Sequence, residues 1–142
     1  MNNTLNEYSL MTQMLSDQNM GAAWKHVKAN KGAPGIDNMS IEEFEPFALA
    51  HWQGIKAKLI ADNYYPLPVK RVIIPKSDGG ERLLGIPAVI DRMIQQAISQ
   101  VISPYFEPTF SPYSYGYRPG KSAKQAVSHV QTCIKQGYKT AV

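Results

Sequence analysis

From Ala88 onward the apolar pairs Val89/Ile90, Met93/Ile94, Ala97/Ile98 and Val101/Ile102 recur every four residues. That spacing lays a broad apolar stripe along a helix, and a stripe of this width must be buried against other elements. It predicts a strongly buried helix ending at Ser103-Pro104, with Arg92, Gln95, Gln96 and Gln100 on its polar side. Any fold for this chain has to be assembled around that helix. The material for a core is present, since 44% apolar and 18% charged residues over 142 positions are ordinary for one soluble globular domain. No run approaches the ~18 consecutive apolar residues of a membrane span.

The surrounding elements follow from local signals. Residues 1–16 are polar with scattered Leu and Met and read as a loosely held arm or short helix, and residues 17–142 read as the folded domain. Asp17 is the expected N-cap of a helix through about Ala29, with Met20, Ala23, Trp24 and Val27 on one stripe. Ser40-Ile-Glu-Glu43 is a capping box and starts a second helix, whose buried side is Phe44, Phe47, Trp52, Ile55 and Leu59, with room for a break near Ala48. Tyr64-Tyr65-Pro66-Leu67-Pro68 stops it. Val69–Pro75 and Glu81–Ile86 then make a β-hairpin about the turn Ser77–Gly80. After a loop with four prolines, Ser122-Ala-Lys-Gln125 opens a last helix with Ala123, Ala126, Val127, Val130 and Ile134 inward, and Tyr138–Val142 reads as the start of a strand. The expected class is α+β, with helices packed around a small antiparallel sheet that holds the hairpin and the strand stub at its heart.

Charge and composition narrow the chemistry. The net charge is +4, but residues 63–142 carry ten Lys/Arg against four Asp/Glu, an excess of six, whereas residues 31–62 carry three against five. A basic half of this kind suits a polyanion such as nucleic acid, and equally a solvated basic face. The single Cys133 excludes an internal disulfide and a cysteine-rich zinc site, and His26, His51 and His129 are too scattered for metal-ligand spacing. His129 and Cys133 can share a helix face at i, i+4, as a functional or a plain packing pair. There is no basic n-region or apolar h-region, so no signal peptide is expected and a cytoplasmic location is. The GxSxG, HExxH, P-loop and GxGxxG templates are missing, and no acid pair apart from Glu42-Glu43 offers ligands for a two-metal centre. No catalytic residue and no metal ligand is therefore assigned.

Three stretches remain that suit anions. In IPKSDGGERLLGIP, Lys76 and Arg82 flank the hairpin turn. Side chains alternate along a strand, so a five-residue loop sets these cations opposite each other, a three-residue loop keeps them on one face and a four-residue loop separates them. Together they suit a triphosphate, or else they guard an exposed sheet edge. YSYGYRPGK alternates aromatic and small residues before Arg118 and Lys121, which suits stacked bases and phosphates of a single strand, or else tyrosines filling a loop. NKGAPGID offers backbone N–H groups and Lys31 to a phosphate, or serves as a simple turn.

Taken in order, NKGAPGIDNMSIEEFE, YYPLPVKRVIIPKSDGGERLLGIPAVIDRMIQQAI and FSPYSYGYRPGKSAKQAV resemble the N-terminal part of the group II intron-encoded reverse transcriptases, or maturases, from about residue 20 onward. The resemblance implies the fingers subdomain of a right-hand polymerase, truncated before the palm, with thumb and endonuclease regions absent. It implies that Lys76 and Arg82 hold the triphosphate of an incoming dNTP. It further implies that the loop of Asn30, Lys31, Gly32, Ala33, Pro34 and Gly35, with Lys70, Arg71, Tyr115, Tyr117, Arg118 and Lys121, contacts the RNA template. Tyr replaces the family's commoner Phe at 115 and 117, and Asp78 adds an acid to the turn. Implied partners are template or intron RNA, a primer strand, a dNTP and the palm, with self-association of the isolated chain. No cofactor is expected within this stretch, whereas the full-length enzyme is expected to use Mg2+. The alternatives are an RNA-binding module that assists intron splicing without polymerisation, and the fingers of a retron or defence-type reverse transcriptase.

Overall fold

Ser40 sits in extended backbone at the start of a 20-residue helix and closes the capping box read from the sequence. Its hydroxyl accepts from the Glu43 N–H at 3.2 Å, while the Glu43 carboxylate accepts from the Ser40 N–H at 2.9 Å. These two bonds satisfy donors that a helix leaves orphaned in its first turn. They hold Glu43 below its ordinary carboxyl range. The computed structural model describes residues 7–140. Its elements are α1 (Glu7–Met14), α2 (Asp17–Ala29), α3 (Ile41–Ile60), β1 (Lys70–Pro75), β2 (Glu81–Ile86), α4 (Val89–Phe106), a 3-10 turn at Glu107–Thr109 and α5 (Ala123–Lys135). The class is α+β, with five helices and one two-stranded antiparallel sheet among the described residues. The chain divides after Ile102 into two compact units.

In the first unit the core is helical. Met14 and Leu15 follow or end α1, Met20, Ala23 and Val27 line α2, and Ile41 and Phe44 come from α3. All pack with Ala88, Val89, Ile90, Met93, Ile94 and Ala97 at the start of α4. Phe44 and Val89 are completely enclosed, and Trp24 lies 4.9 Å from Phe44, ring centre to ring centre. An amide network links α2 to α4: Asn19 Nδ2 donates to the carbonyls of Met14 and Ala97, and Gln100 Nε2 donates to Asn19 Oδ1 at 2.7 Å. The polar side of α4 is thus partly a structural seam.

Several boundaries differ from those expected. Ser16, not Asp17, caps α2: its hydroxyl accepts from the Asn19 N–H, and Asp17 falls in the first turn, where its charge suits the helix dipole. There is no break at Ala48, since α3 runs unbroken through Pro46 to Ile60. Nor does α4 stop at Ser103-Pro104. It continues to Phe106, with Pro104 in the last turn, where the bond from its own nitrogen is the one lost. The pairing of apolar residues holds along α4, but Ile98 and Ile102 in its later turns are exposed.

The hairpin is not at the heart of the structure. Ile73 and Leu83 are 54% and 61% exposed on one face, and Ile74 and Leu84 are 41% and 38% exposed on the other. A two-stranded ribbon has no second layer of its own to bury either face, so its apolar residues stay open. Tyr138, Lys139 and Thr140 form no strand, and the rest of the expected stub lies outside the described residues. In the second unit Ser122 caps α5 by accepting from the Gln125 N–H at 3.2 Å. The residues expected inward on α5 are not buried: Val127, Val130 and Ile134 are all exposed. Amphipathic spacing shows that a face is fit for burial, not that this chain supplies the cover. No helix of the described residues is long and apolar enough to cross a membrane.

Candidate nucleic-acid and triphosphate interface

The hairpin register decides how its cations are arranged. Lys70 pairs with Ile86, Val72 with Leu84, Ile74 with Arg82 and Pro75 with Glu81. One more bond extends the ladder, from the Lys76 N–H to the Gly80 carbonyl at 2.7 Å, leaving Ser77-Asp78-Gly79 as a three-residue loop. Gly79 has φ +84°, a left-handed conformation that a side chain resists, and its N–H donates to the Lys76 carbonyl. Asp78 Oδ1 accepts from the Gly80 N–H at 3.0 Å, so this acid is built into the turn.

With that register Lys70, Lys76 and Arg82 leave the same face of the ribbon, and Arg71 leaves the other. Lys76 lies two residues beyond Ile74, the partner of Arg82, which is about 7 Å along the strand direction. Such a separation lets an ammonium and a guanidinium reach different phosphates of one polyphosphate, the fork taking two oxygens and the lysine one. Lys70 marks the base of the same face, where its Nζ donates to Asn38 Oδ1 at 3.2 Å.

That bond joins the hairpin to the loop after α2. Asn30 caps α2 through an N–H to the His26 carbonyl, Lys31 takes φ +46°, and the Asn38 N–H closes a turn onto the Gly35 carbonyl. Gly35 is pressed against the start of α4: a Cβ there would come within 2.6 Å of Ala88 Cα and 2.7 Å of Ala88 N. Arg92 pins the loop from the other side, with Nη2 donating to the Ala33 carbonyl at 2.7 Å and the guanidinium lying against Gly32. Burial pulls the Arg92 pKa down and the Asp37 charge opposes that pull. Arg92 Nε is buried without a hydrogen-bond partner. An open groove of about 330 Å3, lined by His26, Val27, Asn30, Arg92, Gln95, Gln96 and Ser99, adjoins the loop.

The hairpin is also held at its first leg. Asp91, 3% exposed in the first turn of α4, accepts from the Tyr64 hydroxyl at 2.7 Å and from the Leu67 N–H at 3.1 Å. Burial, reinforced by the bond to Asp91 and by its charge, pushes the Tyr64 phenol far above its ordinary range, so it remains a donor.

In the second unit the tyrosine-rich loop is organised by Arg118. Its Nε and Nη2 meet the Glu107 carboxylate at 2.9 and 2.8 Å, and Nη1 donates to the Ser111 and Ser114 carbonyls. The Arg118 side chain is only 11% exposed, so its donors are used inside its own loop. Lys121 Nζ donates to the Pro112 carbonyl and lies 5.1 Å from the centre of the Tyr115 ring. Tyr113 stacks on His129 at 4.8 Å, with Cys133 Sγ 3.6 Å from the same imidazole. Tyr117 is fully exposed and holds φ +54°, a left-handed conformation that costs an ordinary residue about 1–2 kcal/mol.

In the first unit Lys70 is bonded to the loop after α2 through Asn38 and shares a ribbon face with Lys76 and Arg82 near the turn, and Tyr115, Tyr117, Arg118 and Lys121 lie along one loop of the second. Asp91, Arg92, Tyr64 and Glu107 were missed as positioning residues. For Asp91 and Arg92 the available signal is an Asp-Arg pair inside a helix whose apolar pairs are patterned for burial, where charges need partners. Among the described residues no three His, Cys, Asp or Glu side chains gather as a metal site.

No family model matches the sequence. Among known proteins the chain is 38% identical over 105 residues to Protein YkfC of Escherichia coli K12, covering 72% of this chain and 28% of that protein. It is 31% identical over 110 residues to the group II intron-encoded protein LtrA of Lactococcus lactis subsp. cremoris, covering 77% of this chain and 18% of LtrA. The chain is a relative of the group II intron-encoded proteins. A further relative, at 28% over 120 residues, is an uncharacterized 91 kDa protein in the cob intron of Schizosaccharomyces pombe. The chain spans less than a third of the length of each of these relatives. A solved chain of a partial Cas6-RT-Cas1--Cas2 complex superposes with a TM-score of 0.53 over 93% of this chain and 22% of that one, at 20% identity, a likeness of fold.

Proposed function

We propose that this chain is the fingers part of a group II intron-encoded RNA-directed DNA polymerase, which holds template RNA and the triphosphate of the incoming dNTP. The observation that carries the reading is the hairpin register, which aligns Lys70, Lys76 and Arg82 on one face of the ribbon, with Lys70 bonded to the loop after α2. Lys76 and Arg82 neutralise the triphosphate, the Arg fork on one phosphate and the Lys ammonium on its neighbour. Asn30, Lys31, Gly32, Ala33, Pro34 and Gly35 present backbone and Lys31 to the template, with Lys70 beside them and Arg71 adding charge from the other face of the ribbon. In the second unit Tyr115 and Tyr117 offer rings to unstacked bases, Lys121 adds charge, and Arg118 keeps the loop in shape. Mg2+ would act in the full-length enzyme, where it would stabilise charge at the transferred phosphate. Replacing Lys76 or Arg82 by Ala should weaken triphosphate binding and leave RNA binding in place.

Tyr117 favours a second reading, an RNA-binding module that assists intron splicing without polymerisation. A fully exposed ring held at positive φ is what a stacking platform for single-stranded RNA needs, with or without a nucleotide site. Salt-dependent RNA binding together with indifference to dNTPs would select this reading.

A further inference from the structure

We infer that Asp91 is a positioning residue for the hairpin: its two carboxylate oxygens seat the first leg of the ribbon on α4 and thereby aim Lys76 and Arg82. This rests on the triphosphate reading of those two cations. The second leg needs no such device, because β2 runs through Pro87 and Ala88 directly into α4. The first leg arrives from α3 by an irregular segment, residues 61–69, in which Pro66 and Pro68 lack N–H donors. Asp91 grips that segment at two points, the Tyr64 hydroxyl at 2.7 Å and the Leu67 N–H at 3.1 Å, the latter three residues before β1.

The grip is charge-assisted and almost completely enclosed, with Asp91 3% exposed. Its sequence neighbour Arg92 holds the Ala33 carbonyl, so one turn of α4 fixes both the hairpin and the loop after α2. The hairpin makes its own ladder and presents apolar residues on both faces, so within the first unit its orientation depends on how its legs are tied. Loosening one tie lets the ribbon swing as a body without melting. Asp91 touches no nucleotide in this account.

The test compares the wild-type chain with Asp91→Asn and Tyr64→Phe. Asparagine keeps one acceptor but turns an NH2 toward either Leu67 N–H or Tyr64, and phenylalanine removes one hydroxyl while keeping the ring. Residual dipolar couplings report whether the hairpin and helices align as one body, and titration with sodium tripolyphosphate reads binding. Wild type should fit a single alignment for the first unit. Both variants should need a separate one for the hairpin, with amide protection inside the ladder retained and tripolyphosphate affinity lowered about five- to tenfold. A single alignment and unchanged affinity in both variants would overturn the inference. Should Asp91→Asn lose helical circular dichroism, Tyr64→Phe carries the test by itself. If wild type ignores tripolyphosphate, the triphosphate reading fails while the alignment arm still decides whether Asp91 seats the hairpin.

Discussion

Arg92 Nη2 reaches 59 residues back along the chain to the Ala33 carbonyl, at 2.7 Å, and so holds the loop after α2 against the helix that follows the hairpin. Lysine at this position would keep the charge but lose the planar fork. Arg92→Lys should therefore speed amide hydrogen exchange in residues 31–37 and weaken binding of a short single-stranded RNA several-fold, with the helical circular dichroism unchanged. Exchange rates like those of wild type would mean that the loop holds its shape without this bond.

Gly35 allows the same loop to lie on α4. A Cβ would meet backbone atoms of Ala88 at 2.6 and 2.7 Å, and backbone cannot step aside as a flexible side chain can. Gly35→Ala should lower stability by about 1–3 kcal/mol, the usual cost of overpacking, in urea unfolding followed by circular dichroism.

Glu43 links stability to pH. Its bonds with Ser40 lower its pKa in the folded chain from an ordinary value near 4.5. A carboxyl with a depressed folded pKa adds stability that is present above the unfolded value and is lost as the pH falls through the folded value. Wild type should thus lose part of its advantage over Glu43→Gln as the pH drops below about 4.5, toward the lowered folded value. Melting temperatures of the two proteins at pH 7 and pH 3 check this. A gap that does not narrow at acid pH would contradict the assignment.

The folded second unit leans on Glu107. Its carboxylate faces Arg118 Nε and Nη2, and the same guanidinium bonds two loop carbonyls. Glu107→Ala leaves a mostly buried cation without its counter-charge and should destabilise this unit by about 1–3 kcal/mol. Lost amide protection should be confined to the loop and α5, with the α2–α4 core unaffected.

Much of what rests on local chemistry is legible in the sequence. Ser40 and Glu43 are spaced as a capping box and form one, and the pairs from Val89 to Ala97 are buried as their period required. The β-branched run and the Ser-Asp-Gly-Gly turn mark the hairpin but are compatible with loops of three, four or five residues. Only the ladder from Lys76 to Gly80 decides that Lys76 and Arg82 share a face. Burial of α5 and of the hairpin failed as an expectation, because an apolar pattern says nothing about whether its cover lies on the same chain. Ser16 and Asp17 are equally good capping residues one position apart, and only the Asn19 N–H bond selects Ser16. The roles of Asp91 and Arg92 depend on contacts 24 to 59 residues away, which no local pattern contains.

The most direct test of the triphosphate site is titration of the 15N-labelled chain with a dNTP and with sodium tripolyphosphate, for wild type, Lys76→Ala and Arg82→Ala. In wild type the amides from Lys76 to Arg82 should shift with both ligands. Each substitution should weaken binding by about tenfold or more, since each removes a charge-assisted contact of about 1.5–3 kcal/mol. Wild-type hairpin amides that do not move at millimolar ligand, or variants that bind as tightly as wild type, would contradict it.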